Sequence, residues 1–109
     1  VSDQEFDFRE IDDQIHARQR LAIISILVKS AADELGFNHL KVRLKLTDGN
    51  LSTHLRRLEN AGYIGVRKEF VDRKPRSNYY ITAKGFRAFQ AYLLQLEKLI
   101  RSHKSTNAP

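Results

Sequence analysis

The 109-residue chain has no cysteine, no methionine and no tryptophan. Without cysteine, disulfides, thiolate zinc sites and thiol catalysis are excluded, and a reducing, cytoplasmic location is expected. Methionine is missing even at position 1, as expected of a chain trimmed at its start. No apolar run approaches the ~20 residues a membrane span needs. The longest, "LAIISILV" (Leu21 to Val28), is interrupted by Ser25 and flanked by charge, and no signal-peptide pattern precedes it. No membrane partner is expected. Internal repeats and low-complexity segments are also absent.

What is present is charge, unevenly spread. The net charge is +6. Residues 1–36 hold four basic and eight acidic residues, a net of −4, whereas residues 37–109 hold fifteen and five, a net of +10. A split of this kind puts a basic surface on the later two thirds of the chain and favours an anionic partner, of which nucleic acid is the commonest. With 41% apolar residues over this length, the chain supports one core and one domain.

Residues 1–11 are acidic and lack a period, so a flexible or short helical arm is expected. The single domain spans 12–104, and 105–109 form a disordered tail. A first helix is expected from about Asp12 to Ser30, with Ile15, Ala22 and Ile26 on one line and Leu21, Ile24, Leu27 and Val28 widening its apolar face. Gly36 breaks that pattern. Asn38 then caps a short helix, His39 to about Lys45, with Leu40 and Leu44 inward. Thr47 caps the next helix, Asp48 suits its positive end, and Gly62 stops it after Ala61. In "YIGVRKEFV" the alternation of Ile64, Val66 and Phe70 predicts a strand. The run "DRKPRS" reads as a loop held by Pro75, and "NYYIT" as the returning strand. Thr82 caps a last helix, 83–103, whose Phe86, Phe89, Leu93, Leu96 and Ile100 follow a heptad-like 3, 4, 3, 4 spacing. The fold class is therefore mainly α with a small β-hairpin wing (α+β). It is a winged helix-turn-helix with N- and C-terminal helices for dimerisation.

The helix at 48–61 carries the candidate site. At about 100° per residue, Leu51, Leu55 and Leu58 fall within an arc of about 60°. Asn50, Thr53, Arg56 and Arg57 face away from them, with Ser52 at the edge and Gly49 keeping the helix start slim. That set suits a major groove. Asn pairs two-pronged with adenine, Arg does so with guanine, and Thr can meet a thymine methyl or a phosphate. The helix start, with Thr47 and Asp48, offers free N–H groups to phosphate. At the hairpin tip Arg73, Lys74 and Arg76 cluster around Pro75, where a wing meets backbone or minor groove. Taken alone, either element is also what an ordinary solvated surface shows.

The run "LTDGNLSTHLRRLENAGYI", together with "YITAKG" (Tyr80 to Gly85) and "RLAIISIL" in the first helix, resembles the winged helix-turn-helix transcriptional regulators of MarR/ArsR type. It is most similar to their compact winged helix DNA-binding domain members. The resemblance covers about Ile15 to Leu96. It implies a homodimer joined through the N-terminal and last helices. It also implies that the second helix of the motif reads the major groove and the wing flanks it. Residue by residue, Asp48 to Thr53 and Arg56 fall on the recognition helix, and Arg73 to Arg76 on the wing. His54 matches a position that packs within the motif. The interface residues expected are Ile15, Ile26, Phe86, Phe89, Leu93, Leu96 and Ile100. The resemblance leans toward a repressor rather than an activator, and an effector of unknown kind would lie between the first and last helices.

Catalytic and metal chemistry is sparse. His16, His39, His54 and His103 form no H-x-x-x-H or H-E-x-x-H spacing, and no G-x-x-x-x-G-K phosphate loop exists. No metal, cofactor or enzymatic activity is expected. The reading is a homodimeric, sequence-specific regulator of double-stranded DNA that recognises a palindromic operator. Two alternatives stay open: a winged-helix protein-interaction module, and a nucleic-acid binder without sequence preference.

Overall fold

The computed structural model describes residues 6–104. Its elements run in the order α1 (Arg18–Lys29), β1 (Leu35–Gly36), α2 (Phe37–Leu44), α3 (Asp48–Asn60), β2 (Ile64–Val71), β3 (Lys74–Ile81) and α4 (Ala83–Lys104), preceded by one 3-10 turn at Phe8–Glu10. This is the expected α+β winged helix-turn-helix. The turn lies within the expected arm, while the tail expected at 105–109 is outside the described residues.

Leucine and isoleucine at helical spacing build the core. Ile23, Ile24 and Leu27 of α1, Leu40 of α2, and Leu51, Leu55 and Leu58 of α3 are buried together with Ile64 of β2. The α2–α3 turn is short because Lys45 takes a left-handed conformation (φ 56°), its N–H returning to the α2 carbonyls of Lys41 and Val42. Thr47 then caps α3, its hydroxyl oxygen accepting from the Asn50 N–H at 3.1 Å. At the far end Gly62 (φ +80°) turns the chain into β2. Gly85 lets α4 cross that turn closely: a Cβ there would sit 2.0 Å from the Tyr63 carbonyl oxygen. Thr82 starts α4, its oxygen accepting from the Gly85 N–H (3.0 Å) while its hydroxyl donates to the Gly62 carbonyl (2.7 Å).

Three expectations need correction. First, α1 begins at Arg18, not Asp12. The Asp12 carboxylate accepts from the Gln14 and Ile15 N–H groups (2.8 and 3.2 Å), so these residues form a side-chain-capped turn instead of helix. Second, α2 begins at Phe37 with Gly36 as its cap, so Asn38 is inside the first turn. The reason is a strand the sequence reading missed. Leu35 and Gly36 pair antiparallel with Tyr79 and Asn78, giving the sheet order β1-β3-β2, and the chain leaves the sheet directly into the helix. Third, the hairpin loop is only Asp72 and Arg73, both with positive φ (52° and 66°), and Pro75 lies within β3 opposite Phe70. The two positive φ values are those of a two-residue turn matched to strand twist. Pro75 is tolerated because β1 covers only Asn78 and Tyr79, leaving the outer edge of β3 open from Lys74 to Ser77. The strand expected from Ile64, Val66 and Phe70 is present as β2, and its Phe70 is 77% exposed.

The expected interface set is also sorted by burial. Ile15 is fully buried within its own chain, so it has no surface for a partner. Ile26 and Phe89 are half-buried and pack against the core. Phe86, Leu93 and Ile100 are 40%, 46% and 55% exposed, and Leu96 is half-buried.

Candidate nucleic-acid interface

The structure divides the α3 residues by what already holds them. Thr47 is occupied as the cap. The Asp48 carboxylate pairs with Lys41 Nζ at 2.8 Å, bracing the two helices of the motif against each other. The Thr53 hydroxyl donates to the Gly49 carbonyl at 2.9 Å, leaving its methyl outward. Asn50, Ser52, Arg56 and Arg57 are exposed, and neither arginine has an ion-pair partner among the described residues. Gly49 faces open space, with nothing within 4 Å of where a Cβ would stand. The outward face is therefore slim at its start and carries unpaired donors further along.

Behind this face, α3 is fixed by its buried side. Half-buried His54 meets Arg20 Nη1 at 3.4 Å through Nδ1. Arg20 is itself buried, donating to the carbonyls of Gln14 (2.6 Å) and Asp13 (3.2 Å). Burial pushes the His54 imidazole below its ordinary pKa, and the Arg20 and Arg57 charges push it the same way. His54 is thus a neutral packing residue, as its position in the motif suggested. The same N-terminal turn is tied to Tyr63, just before β2, and to α4. The Tyr63 hydroxyl donates to Asp12, and burial together with that hydrogen bond pushes its pKa up to about 12. His16 Nδ1 lies 2.9 Å from the Tyr92 hydroxyl.

The wing presents two unlike faces, because successive strand residues alternate. On one face Arg67 reaches Glu34 (2.7 Å) and Glu69 (3.2 Å), and Asn78 donates to Glu69. This network ties the hairpin to the segment before β1, and Glu34 beside Arg67 raises the guanidinium pKa. Lys74 and Arg76 belong to this face and border a wide cleft of about 820 Å³ shared with Asn38 and His39. The other face turns toward α3. There Lys68, Ser77 and Tyr79 meet Ser52, Arg56 and Glu59 across a cleft of about 260 Å³. Arg73 stands at the tip. Lys68 was missed by the sequence reading, although the break it makes in the Ile64–Val66–Phe70 alternation is a legible signal for an exposed position.

Ser52 and Arg56 of α3 and Lys68 of the wing thus line one cleft, while Asn50 and Arg57 are exposed elsewhere on α3 and Arg73 is exposed at the turn. Among the described residues, no group of three or more histidines or acids could hold a metal ion, and no helix is long and apolar enough to cross a membrane. A helix-turn-helix with a basic hairpin of this build defines a class of DNA-binding domain. The family described as the winged helix DNA-binding domain matches residues 19–100, and the chain belongs to that family. Over 66 residues it is 38% identical to an uncharacterized protein of Methanocaldococcus jannaschii, covering 61% of this chain and 72% of that one. The structure of a transcriptional regulator homologue from Pyrococcus horikoshii OT3 superposes with a TM-score of 0.73 at 31% identity, over 81% of this chain and 85% of that one. The S. aureus MepR F27L mutant bound to an oligodeoxyribonucleotide shares the fold, with a TM-score of 0.70 at 20% identity over 89% and 72% of the two chains. The resemblance to winged-helix regulators drawn from the residues is borne out at this level.

Proposed function

We propose that this protein is a cytoplasmic, homodimeric transcriptional regulator that binds double-stranded DNA in a sequence-specific manner and represses by occupying a palindromic operator. The observation that carries the reading is the pattern of unpaired cations. Asp48, Glu34 and Glu69 are matched by Lys41 and Arg67, whereas Arg56, Arg57, Lys68 and Arg73 have no ion-pair partner among the described residues, and Arg56 and Lys68 line one cleft. In this reading α3 enters the major groove. Asn50 and Arg56 read base edges, and Gly49 and Ser52 allow close approach. Arg57 meets a flanking phosphate, and Arg73, Lys74 and Arg76 follow the backbone and the minor groove.

The dimer rests on α4. Phe86, Leu93 and Ile100 are exposed at intervals of seven, with Leu94 (59% exposed) beside them. An exposed heptad line of that length is a coiled-coil seam without its second helix. The body supports an arm of this kind: its extents are 62 × 26 × 21 Å, and its radius of gyration of 16.8 Å exceeds the ~13 Å of a compact chain this long. A two-fold axis through α4 sets two recognition helices about 34 Å apart, one turn of DNA.

Selection of bound duplexes from a random pool at about physiological salt tests the reading. An enriched palindrome with half-sites one turn apart is the expected result. Salt-sensitive binding with no enriched sequence would replace it with a non-specific role, and no binding would replace it with a protein-interaction module.

A further inference from the structure

On the wing face that turns toward α3, apolar alternation continues after the core has ended. Ile64 is 2% exposed, Val66 is half-buried, and Phe70 is 77% exposed, more than any other large apolar side chain among the described residues. Its cross-strand partner is Pro75, and the next pair on the same face is Lys68 with Ser77. On the other side lies the Asp72–Arg73 turn, and Lys74 and Arg76 stand on the reverse of the sheet. Phe70 and Pro75 thus form a small apolar platform bordered by Lys68 and Arg73, neither of which has an ion-pair partner among the described residues. An acidic surface alone would satisfy the cations and leave the ring wet. A second copy of the hairpin would be repelled. A sugar–phosphate strand satisfies both, because its phosphates are anionic and its deoxyribose faces are apolar.

We propose that Phe70, backed by Pro75, packs on deoxyribose at the mouth of the minor groove next to the major groove that α3 enters, between phosphates held by Lys68 and Arg73. The inference rests on the DNA-binding reading above and adds to it an apolar contact. Phe70 is two strand residues, about 7 Å, behind the tip of the turn. That depth places the ring against the groove wall and not between base pairs. A contact of this kind releases no counterion, so it contributes affinity that salt does not remove. It also touches no base edge, so it contributes equally to specific and random sequence.

Binding of the unmodified chain, Phe70→Ala, Phe70→Leu and Lys68→Ala to an enriched duplex and to a random duplex, each across a salt series, tests the assignment. Phe70→Ala is expected to weaken both duplexes about tenfold, as partial loss of a buried aromatic ring does, with the slope of log K against log salt unchanged. Phe70→Leu should recover part of that loss, and Lys68→Ala should flatten the slope by about one unit. The side chain touches little of its own chain, so the thermal melting of Phe70→Ala should match the unmodified protein. Equal affinity of Phe70→Ala and the unmodified chain would overturn the proposal while leaving the DNA reading intact. A loss confined to the enriched duplex would overturn it in favour of base reading, and a change in sedimentation in favour of a contact between copies. If the unmodified chain bound neither duplex, the DNA reading itself would fall and this contact with it.

Discussion

The turn at Asp12–His16 and the wing at Val71–Arg76 are both polar stretches at the margin of the core, and they treat their polar groups in opposite ways. In the turn, Asp12 serves two backbone N–H groups and the Tyr63 hydroxyl, His16 meets Tyr92, and two carbonyls receive the Arg20 guanidinium. In the wing, Arg73, Lys74 and Arg76 have no ion-pair partner among the described residues, and the turn itself is held in a strained conformation. Satisfied polar groups in a half-buried place fix geometry, here the angle at which α1, α3 and α4 meet. Unsatisfied donors on an exposed hairpin fix nothing internally and remain free for an outside anion. The same residue type, arginine, plays both parts, and burial decides which.

Substitutions can break or sharpen that contrast. The largest effect is expected of Arg20→Ala, which leaves two carbonyls and His54 without their donor. It should lower stability by about 2–3 kcal/mol, seen in thermal melting as a fall of about 4–8 °C per kcal/mol. An unchanged melt would mean that water replaces the guanidinium and that the turn is not a structural hub. Arg56→Ala should do the reverse, with melting unchanged and specific DNA binding weaker by about 1–3 kcal/mol with relaxed base preference. Equal loss on specific and random duplexes would remove Arg56 from base reading. Arg73 occupies a left-handed position that glycine adopts more easily. Arg73→Gly is therefore expected to raise stability by up to about 1 kcal/mol while weakening all DNA and flattening the salt slope by about one unit.

The smallest effect is a pH dependence. His54 is held below its ordinary pKa of 6.5 in the fold by burial and by its arginine neighbours. The unfolded chain therefore takes up its proton first. The stability that neutral His54 allows is complete above about pH 6.5 and declines as the pH falls through its lower folded value. Melting points of the unmodified chain should drop over that window more than those of His54→Gln, and parallel curves would show that His54 is not the titrating group.

Much of this was legible in the residues because it is local. Three leucines on one side of α3, threonine caps at 47 and 82, and Gly62 past the helix end are signals that the backbone reads within one turn of itself. The basic wing was legible too, though not its geometry. What escaped depended on contacts distant in sequence. β1 is two residues long, too short for any alternation, and exists only because Tyr79 and Asn78 arrive beside it. The first turn of the expected α1 was lost to Asp12 and to a guanidinium that stabilises non-helical carbonyls. Ile15 was assigned to a partner on its apolar character, and the chain's own core took it.

The sequence by itself determined the class of fold, the order of helices and hairpin, and the outward face of α3, since periodicity, caps and charge are written residue by residue. Tertiary structure alone decided which of those polar residues are free. It joined Asp48 to Lys41 and Arg67 to Glu34, turned Lys68 toward α3, and carried β2 beyond the core so that Phe70 stands in solvent. The physical reason is that pairing and burial are properties of neighbours in space. A charge or an aromatic ring becomes structural or functional only when the fold has settled what lies against it.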